Sequence, residues 1–177
     1  KYFVFWNPPQ LGETVERRGA STEAREIMVR LISEGVQTIA FARARLVAEL
    51  LYRYVREDLQ RVRPSLARAV RAYRGGYLPH ERREIERQLF EGELLGIAST
   101  NALELGIDIG GLDAAILVGY PGSIASTWQQ AGRAGRDKGE SVVFLVGYNA
   151  PLDQYLMQHP EYFFGQSPES AVVDPDN

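Results

Sequence analysis

Five short runs of this sequence are apolar almost from end to end: KYFVFW, VQTIAF, LLGIAS, DAAILVGY and ESVVFLVGY. A strand with one wet face alternates apolar and polar residues. A strand that is apolar throughout has to be covered on both faces, which is the habit of parallel sheets. A sixth run, RAVRAY, is shorter and stops at Gly75-Gly76. Between the runs lie longer stretches with helical spacing. TEAREIMVRLISEG places Ile27, Leu31 and Ile32 on one side, with Glu23 and Glu26 early, where the helix dipole favours anions. Ser21 or Thr22 is expected to cap it. RARLVAELLYRYVREDL is a long amphipathic stretch, PHERREIERQLFEG starts at Pro79 and closes at Gly92, and SIASTWQQAGRAG is a fourth helix. Strand–helix alternation of this kind predicts an α/β fold, a parallel β-sheet of about six strands with helices on both faces.

The alternation stops at Ala150. Residues 1–150 are therefore expected to form the domain. Residues 151–177, with Tyr155, Tyr162, Phe163 and Phe164, either pack back on the sheet or lead into a further domain. The chain has 177 residues and 45% apolar content, enough for one domain with a real core. It contains no cysteine, which excludes disulfides and thiolate metal sites. His80 and His159 are too far apart to suggest a metal pair, so no metal site is expected in this chain. No apolar run approaches the ~18 residues of a membrane span, so no membrane partner is expected and a cytoplasmic location is.

Net charge is −3, which does not announce a polyanion. Its distribution says more: residues 41–90 hold 12 of the 20 basic residues and 6 of the 23 acidic ones, a local balance of +6. Such a segment can bind phosphates locally. A solvated helix face rich in Arg and Glu explains it equally well.

Two segments could carry chemistry. Ser99, Thr100 and Asn101 stand at the end of LLGIAS, and in parallel sheets ligands meet the loops at the carboxyl ends of strands. Their hydroxyl, amide and backbone N–H groups suit a phosphate, although a capped turn is an equal explanation. Gly106 permits close approach, and Asp108 lies between two isoleucines, where its carboxylate could accept from a ribose hydroxyl or an arginine. The second segment is QQAGRAGR. If the helix runs through it, Arg133 and Arg136 share a face, with Gln129 one turn earlier on that side. Gly132 and Gly135 each weaken a helix by about 1 kcal/mol relative to alanine, and close approach of a backbone or phosphate would be a reason for them. A helix C-terminus accounts for the arginines but not for Gly132 or the glutamines.

Together, STNALELGIDIGGLDAAILVGYP and STWQQAGRAGR resemble motifs V and VI of superfamily-2 helicases. QTIAFARARLVAELL resembles motif IV, and YRGGYLPHERREIERQLFEGELLGIAST resembles the segment leading into motif V. The resemblance covers about residues 36–147, with the first strand and helix fitting too, and is greatest to the MrfA-like repair branch of DEAD/DEAH-box DNA helicases. It implies the second of two RecA-like domains. Arg133 and Arg136 would be arginine fingers on the γ-phosphate of ATP, supported by Gln129, with Gly106, Asp108 and Gly132 near the nucleotide. Ser99, Thr100 and Asn101, Gly75 and Gly76, and Arg43 or Arg45 would contact the DNA backbone. Arg82 would take either a ligand contact or a bridge to an acidic neighbour. The family's first domain would hold ATP and Mg2+, and the family's setting implies association with the prokaryotic nucleoid. Gln129 in place of a histidine, and Glu104 in place of an arginine, favour a DNA-directed branch over an RNA one. An RNA helicase, a duplex translocase and a non-enzymatic RecA-like module that binds nucleic acid or a partner are the alternatives.

The resemblance implies a P-loop NTPase fold, and the sequence contains no G-x-x-x-x-G-K-[ST], so that fold is expected here without the P-loop. The expectation is that this chain does not hydrolyse ATP alone.

Overall fold

A computed structural model describes residues 1–101, 111–135 and 139–165. Its strands are β1 (Tyr2–Trp6), β2 (Thr38–Ala42), β3 (Val70–Ala72), β4 (Gly96–Ser99), β5 (Ala114–Val118) and β6 (Val142–Val146). They form one sheet in the order β1-β6-β5-β2-β4-β3, with every neighbouring pair parallel. Each of the six apolar or near-apolar runs became a strand, and burial explains the pattern. Every residue of β2, β4 and β5, which lie inside the sheet, is buried. The two edge strands, β1 and β3, are the ones that carry exposed positions among buried or half-buried ones.

The helices divide between the faces. On one side, α1 (Ala20–Ser33) and α2 (Arg45–Val62) bring Met28, Ile32, Leu51, Val55 and Leu59 against Ala40, Ala98 and Ile116. On the other, α3 (Pro79–Phe90) and α4 (Ile124–Ala131) bring Ile85, Leu89 and Ala131 against Ile39, Phe41, Ile97 and Leu117. Burying a side chain of this size contributes about 1.5–3 kcal/mol. The α1 face lies so close to β4 that a Cβ on Gly96 would stand 2.5 Å from Ile32 Cδ1, which accounts for glycine inside a strand. The start of α1 differs from the expectation. Gly19 is the capping residue and neither Ser21 nor Thr22 caps, because the helix begins earlier, at Ala20.

Beyond β6 the chain turns back as α5 (Pro151–Gln158) and α6 (Pro160–Gly165). The Phe163 side chain is fully buried, with ring centroids 5.4 Å from Phe3 and 5.9 Å from Phe5 on β1. Asp153 of α5 is buried, and its Oδ2 accepts from the amides of Tyr120 (3.2 Å) and Tyr148 (2.8 Å), which follow β5 and β6. Residues 151–165 thus pack back on the sheet. Because all six strands point the same way, their carboxyl ends share one edge of the sheet, and that edge gathers the residues considered next.

Candidate functional site at the carboxyl edge of the sheet

Three separate segments meet in a small cleft at this edge. Arg45 comes from the start of α2, Gly75 from the turn after β3 and Thr100 from just beyond β4; Ala48, Glu49, Ala72, Tyr73 and Arg74 complete the lining. Arg45 and Gly75 are exposed and Thr100 is half-buried. Gly76 has φ +97°, a conformation L side chains rarely adopt, and nothing lies within 4 Å of where its Cβ would be. This turn thus shows bare backbone outward. Arg74 forms an ion pair with Glu49. Burial pushes the Tyr73 phenol above its ordinary pKa, which keeps it a neutral wall of the cleft.

The structure separates Arg43 from Arg45. Arg43 is exposed but lines a different cleft, with Arg17, Arg18, Ser21 and Tyr148. Ser99 is fully buried, and its hydroxyl donates to the backbone carbonyls of Thr100 (3.0 Å) and Tyr73 (3.4 Å). Its geometry holds the loop together and does not offer the backbone contact expected of it. Arg82 donates its Nε to the carbonyl of Tyr77 at 3.2 Å, and so braces the turn instead of bridging to an acid.

Helix α4 is capped by Ser123, whose hydroxyl accepts from the amide of Ser126 at 3.0 Å. It ends at Ala131, with Gly132 as the C-cap. The expectation of a helix continuing through QQAGRAGR is therefore corrected. The reason is tertiary. The chain after Gly132 hydrogen-bonds to the approach of β5: Leu112 N donates to the Arg133 carbonyl (3.0 Å), Gly135 N donates to the Leu112 carbonyl (2.8 Å), and Ala134 bridges Leu112 in parallel. Gly135 takes φ +127°, which turns the chain out of helix. Arg133 thus stands half-buried on a loop pinned to the sheet, and the helical face it was expected to share with Gln129 does not exist. Gln129 is exposed in the last turn of α4. A Cβ at Gly132 would meet the carbonyl oxygens of Trp128 (3.2 Å) and Gln129 (3.3 Å), both from its own preceding turn. Lys1 Nζ donates to the Ala131 carbonyl (3.1 Å), one of the acceptors a helix end leaves open. Gly106, Asp108 and Arg136 lie outside the described residues.

One residue of this site was missed. Gln130 is 3% exposed, and its Nε2 donates to Asn101 Oδ1 at 3.0 Å, while its carbonyl accepts from Arg133 N at 3.1 Å. Asn101 is itself exposed. Gln130 therefore touches both loops, the one after β4 through its side-chain amide and the one carrying Arg133 through its backbone carbonyl. A signal was available: on α4 the buried residues are Ile124, Thr127, Gln130 and Ala131, so the glutamine interrupts an apolar stripe.

Chemically, this edge offers guanidiniums, a hydroxyl, an amide and open backbone. Among the described residues, no group of three or more His, Cys, Asp or Glu is disposed to hold a metal. The donor set fits contact with phosphate oxygens and does not fit magnesium.

Comparison with known proteins identifies the family. The model of the family described as "Helicase conserved C-terminal domain" matches residues 23–138. The chain is 51% identical to the "Uncharacterized ATP-dependent helicase YprA" of Bacillus subtilis, over all of this chain and 24% of that protein. It is 47% identical to "ATP-dependent helicase HRQ1" of Saccharomyces cerevisiae, over 91% of this chain and 15% of that protein. Among solved structures, the DUF1998 helicase MrfA bound to DNA and AMPPNP superposes with a TM-score of 0.90 at 51% identity, over 99% of this chain and 24% of that one. The chain thus spans a quarter or less of the length of these relatives.

Proposed function

The chain belongs to the helicase conserved C-terminal domain family, as a C-terminal RecA-like domain of the MrfA branch, and from that premise we propose that it is the second motor domain of an ATP-dependent DNA helicase. ATP and its Mg2+ are held mainly by a first RecA-like domain of the same polypeptide. This domain presents Arg133 and Arg136 across the cleft to the γ-phosphate, with Gln129, Gly106, Asp108 and Gly132 beside the nucleotide. Thr100, Asn101, Gly75, Gly76 and Arg45 meet the DNA backbone, and Arg43 extends that contact on the α1 side. The work is DNA repair in the cytoplasm, at the nucleoid.

The observation that carries this reading is the buried Gln130, whose side-chain amide holds Asn101 and whose backbone carbonyl accepts from Arg133 N. It ties the loop proposed to hold the strand to the loop proposed to reach ATP. A motor has to transmit the one to the other. Planar guanidinium suits the charge spread over a phosphoryl group in transfer, and an arginine finger contributes about 10³–10⁵ in rate to a nucleotide bound elsewhere. Half a site of this kind has no turnover of its own. The isolated chain is expected to hydrolyse ATP no faster than its Arg133→Ala/Arg136→Ala double variant; turnover above that control refutes the division of labour. In the full-length protein, DNA should stimulate hydrolysis, and RNA of matched sequence should do so far less. Equal stimulation would favour the RNA-directed alternative.

A further inference from the structure

Most of the arginines in residues 41–90 take no part in the site described above. Several of them surround a cavity of about 360 Å³ on the outer side of β3. Its lining includes Arg56 from α2, Arg68 from the turn before β3, Arg71 on β3, Arg74 just after it, and the tyrosines Tyr52 and Tyr77. It holds four guanidiniums and no carboxylate. Arg74 is held by Glu49, and Arg56 donates to the Tyr52 hydroxyl at 3.0 Å. The side chains of Arg68 and Arg71 form no hydrogen bond or ion pair among the described residues, although Glu84 on α3 senses the charge of Arg71. Positive charges crowded this way repel one another, and a ligand of opposite sign relieves that repulsion.

Two facts identify the ligand. The cavity borders the cleft of Arg45, Gly75 and Thr100, because Ala72 and Arg74 line both. The basic residues then continue outward along the edge strand, at positions 74, 71 and 68, away from that cleft. A row of guanidiniums matches the spacing of charge along a repeating anion. We propose that this cavity is a second nucleic-acid subsite, and that it takes the phosphodiester backbone of the same DNA strand after the strand leaves the Thr100 cleft. Arg74 stands at the junction and exchanges Glu49 for a phosphate. The inference rests on the strand-binding reading above and lengthens the track of the domain beyond the residues its helicase motifs supply.

The test uses the full-length protein and two fluorescent DNA strands, one just long enough to cover the Thr100 cleft and one longer by several nucleotides at each end. The parent is expected to bind the longer strand more tightly. Arg68→Gln/Arg71→Gln should weaken binding to the longer strand about tenfold, leave the short one within twofold, and lower the salt slope on the longer strand by about 0.7 per lost contact. Arg56→Gln, on a different element, should act in the same direction. Equal binding of the longer strand by parent and variants would overturn the inference, as would equal weakening on both strands. A lowered melting temperature without DNA would point instead to an acidic segment of another domain as the occupant, and would also overturn it. If the parent binds neither strand, the proposed function itself fails.

Discussion

The carboxyl edge of the sheet has two stretches that are furnished differently. Beyond β2, β4 and β3, residues from three elements of this chain close a cleft among themselves, with Arg45, Gly75 and Thr100 facing one space. Beyond β5 and α4, the chain presents Arg133 on a loop fastened to Leu112, with no phosphate loop and no group of metal ligands among the described residues. The difference follows from what each ligand requires. Contacts with a strand are many and individually weak, so one domain can offer them unaided. Hydrolysis needs a phosphate cradle, a metal and a water activator arranged around one atom, and under the proposed function that arrangement is shared between domains.

The sharpest way to break this contrast is to remove the guanidinium. In the full-length protein, Arg133→Ala should lower ATP turnover by about 10³ or more while nucleotide and DNA affinities hold within a few-fold. A variant that lost DNA binding instead would merge the two stretches into one. A smaller effect is expected on the other side. Arg45→Ala should weaken DNA binding by about 1 kcal/mol across all sequences and reduce the salt slope by about one contact, read by titration at several salt concentrations. A base-specific loss would contradict a backbone role. The smallest effect lies between the stretches. Asn101→Ala, Gln130→Ala and their combination should show a coupling of about 0.5–1 kcal/mol in the DNA concentration needed for half-maximal ATPase stimulation. Strict additivity would mean that the buried hydrogen bond supports packing and carries no signal between the loops.

The strands were legible because their signal is local. A strand buried on both faces has no polar positions to spare, and β2, β5 and β6 show this in five or six consecutive residues. The ends of helices were less legible. Nothing in STEAREI says that the helix starts before its serine. The end of α4 was least legible of all, because two hydrogen bonds to Leu112 decide it, and Leu112 lies some twenty residues away in the chain. Site residues followed the same division. Arg45, Gly75 and Thr100 came from widely spaced segments and do share a cleft. Ser99 looked equivalent to Thr100, but Ser99 is the last residue of a strand buried on both faces, whereas Thr100 lies just beyond it and is half-buried. Gln130 looked like the spare member of a glutamine pair, and only its place on the buried stripe of α4 gave it away.

Asp153 has a consequence for anyone dividing this polypeptide. One of its carboxylate oxygens accepts amides that leave two different strands, and Phe163, a few residues later, fills the slot over Phe3 and Phe5. Cutting the chain at residue 150, where the strand–helix pattern stops, would strand both N–H groups without their acceptor and open an aromatic surface to water. The smallest piece that can be expressed, swapped into a related motor or labelled as one unit therefore ends no earlier than Gly165.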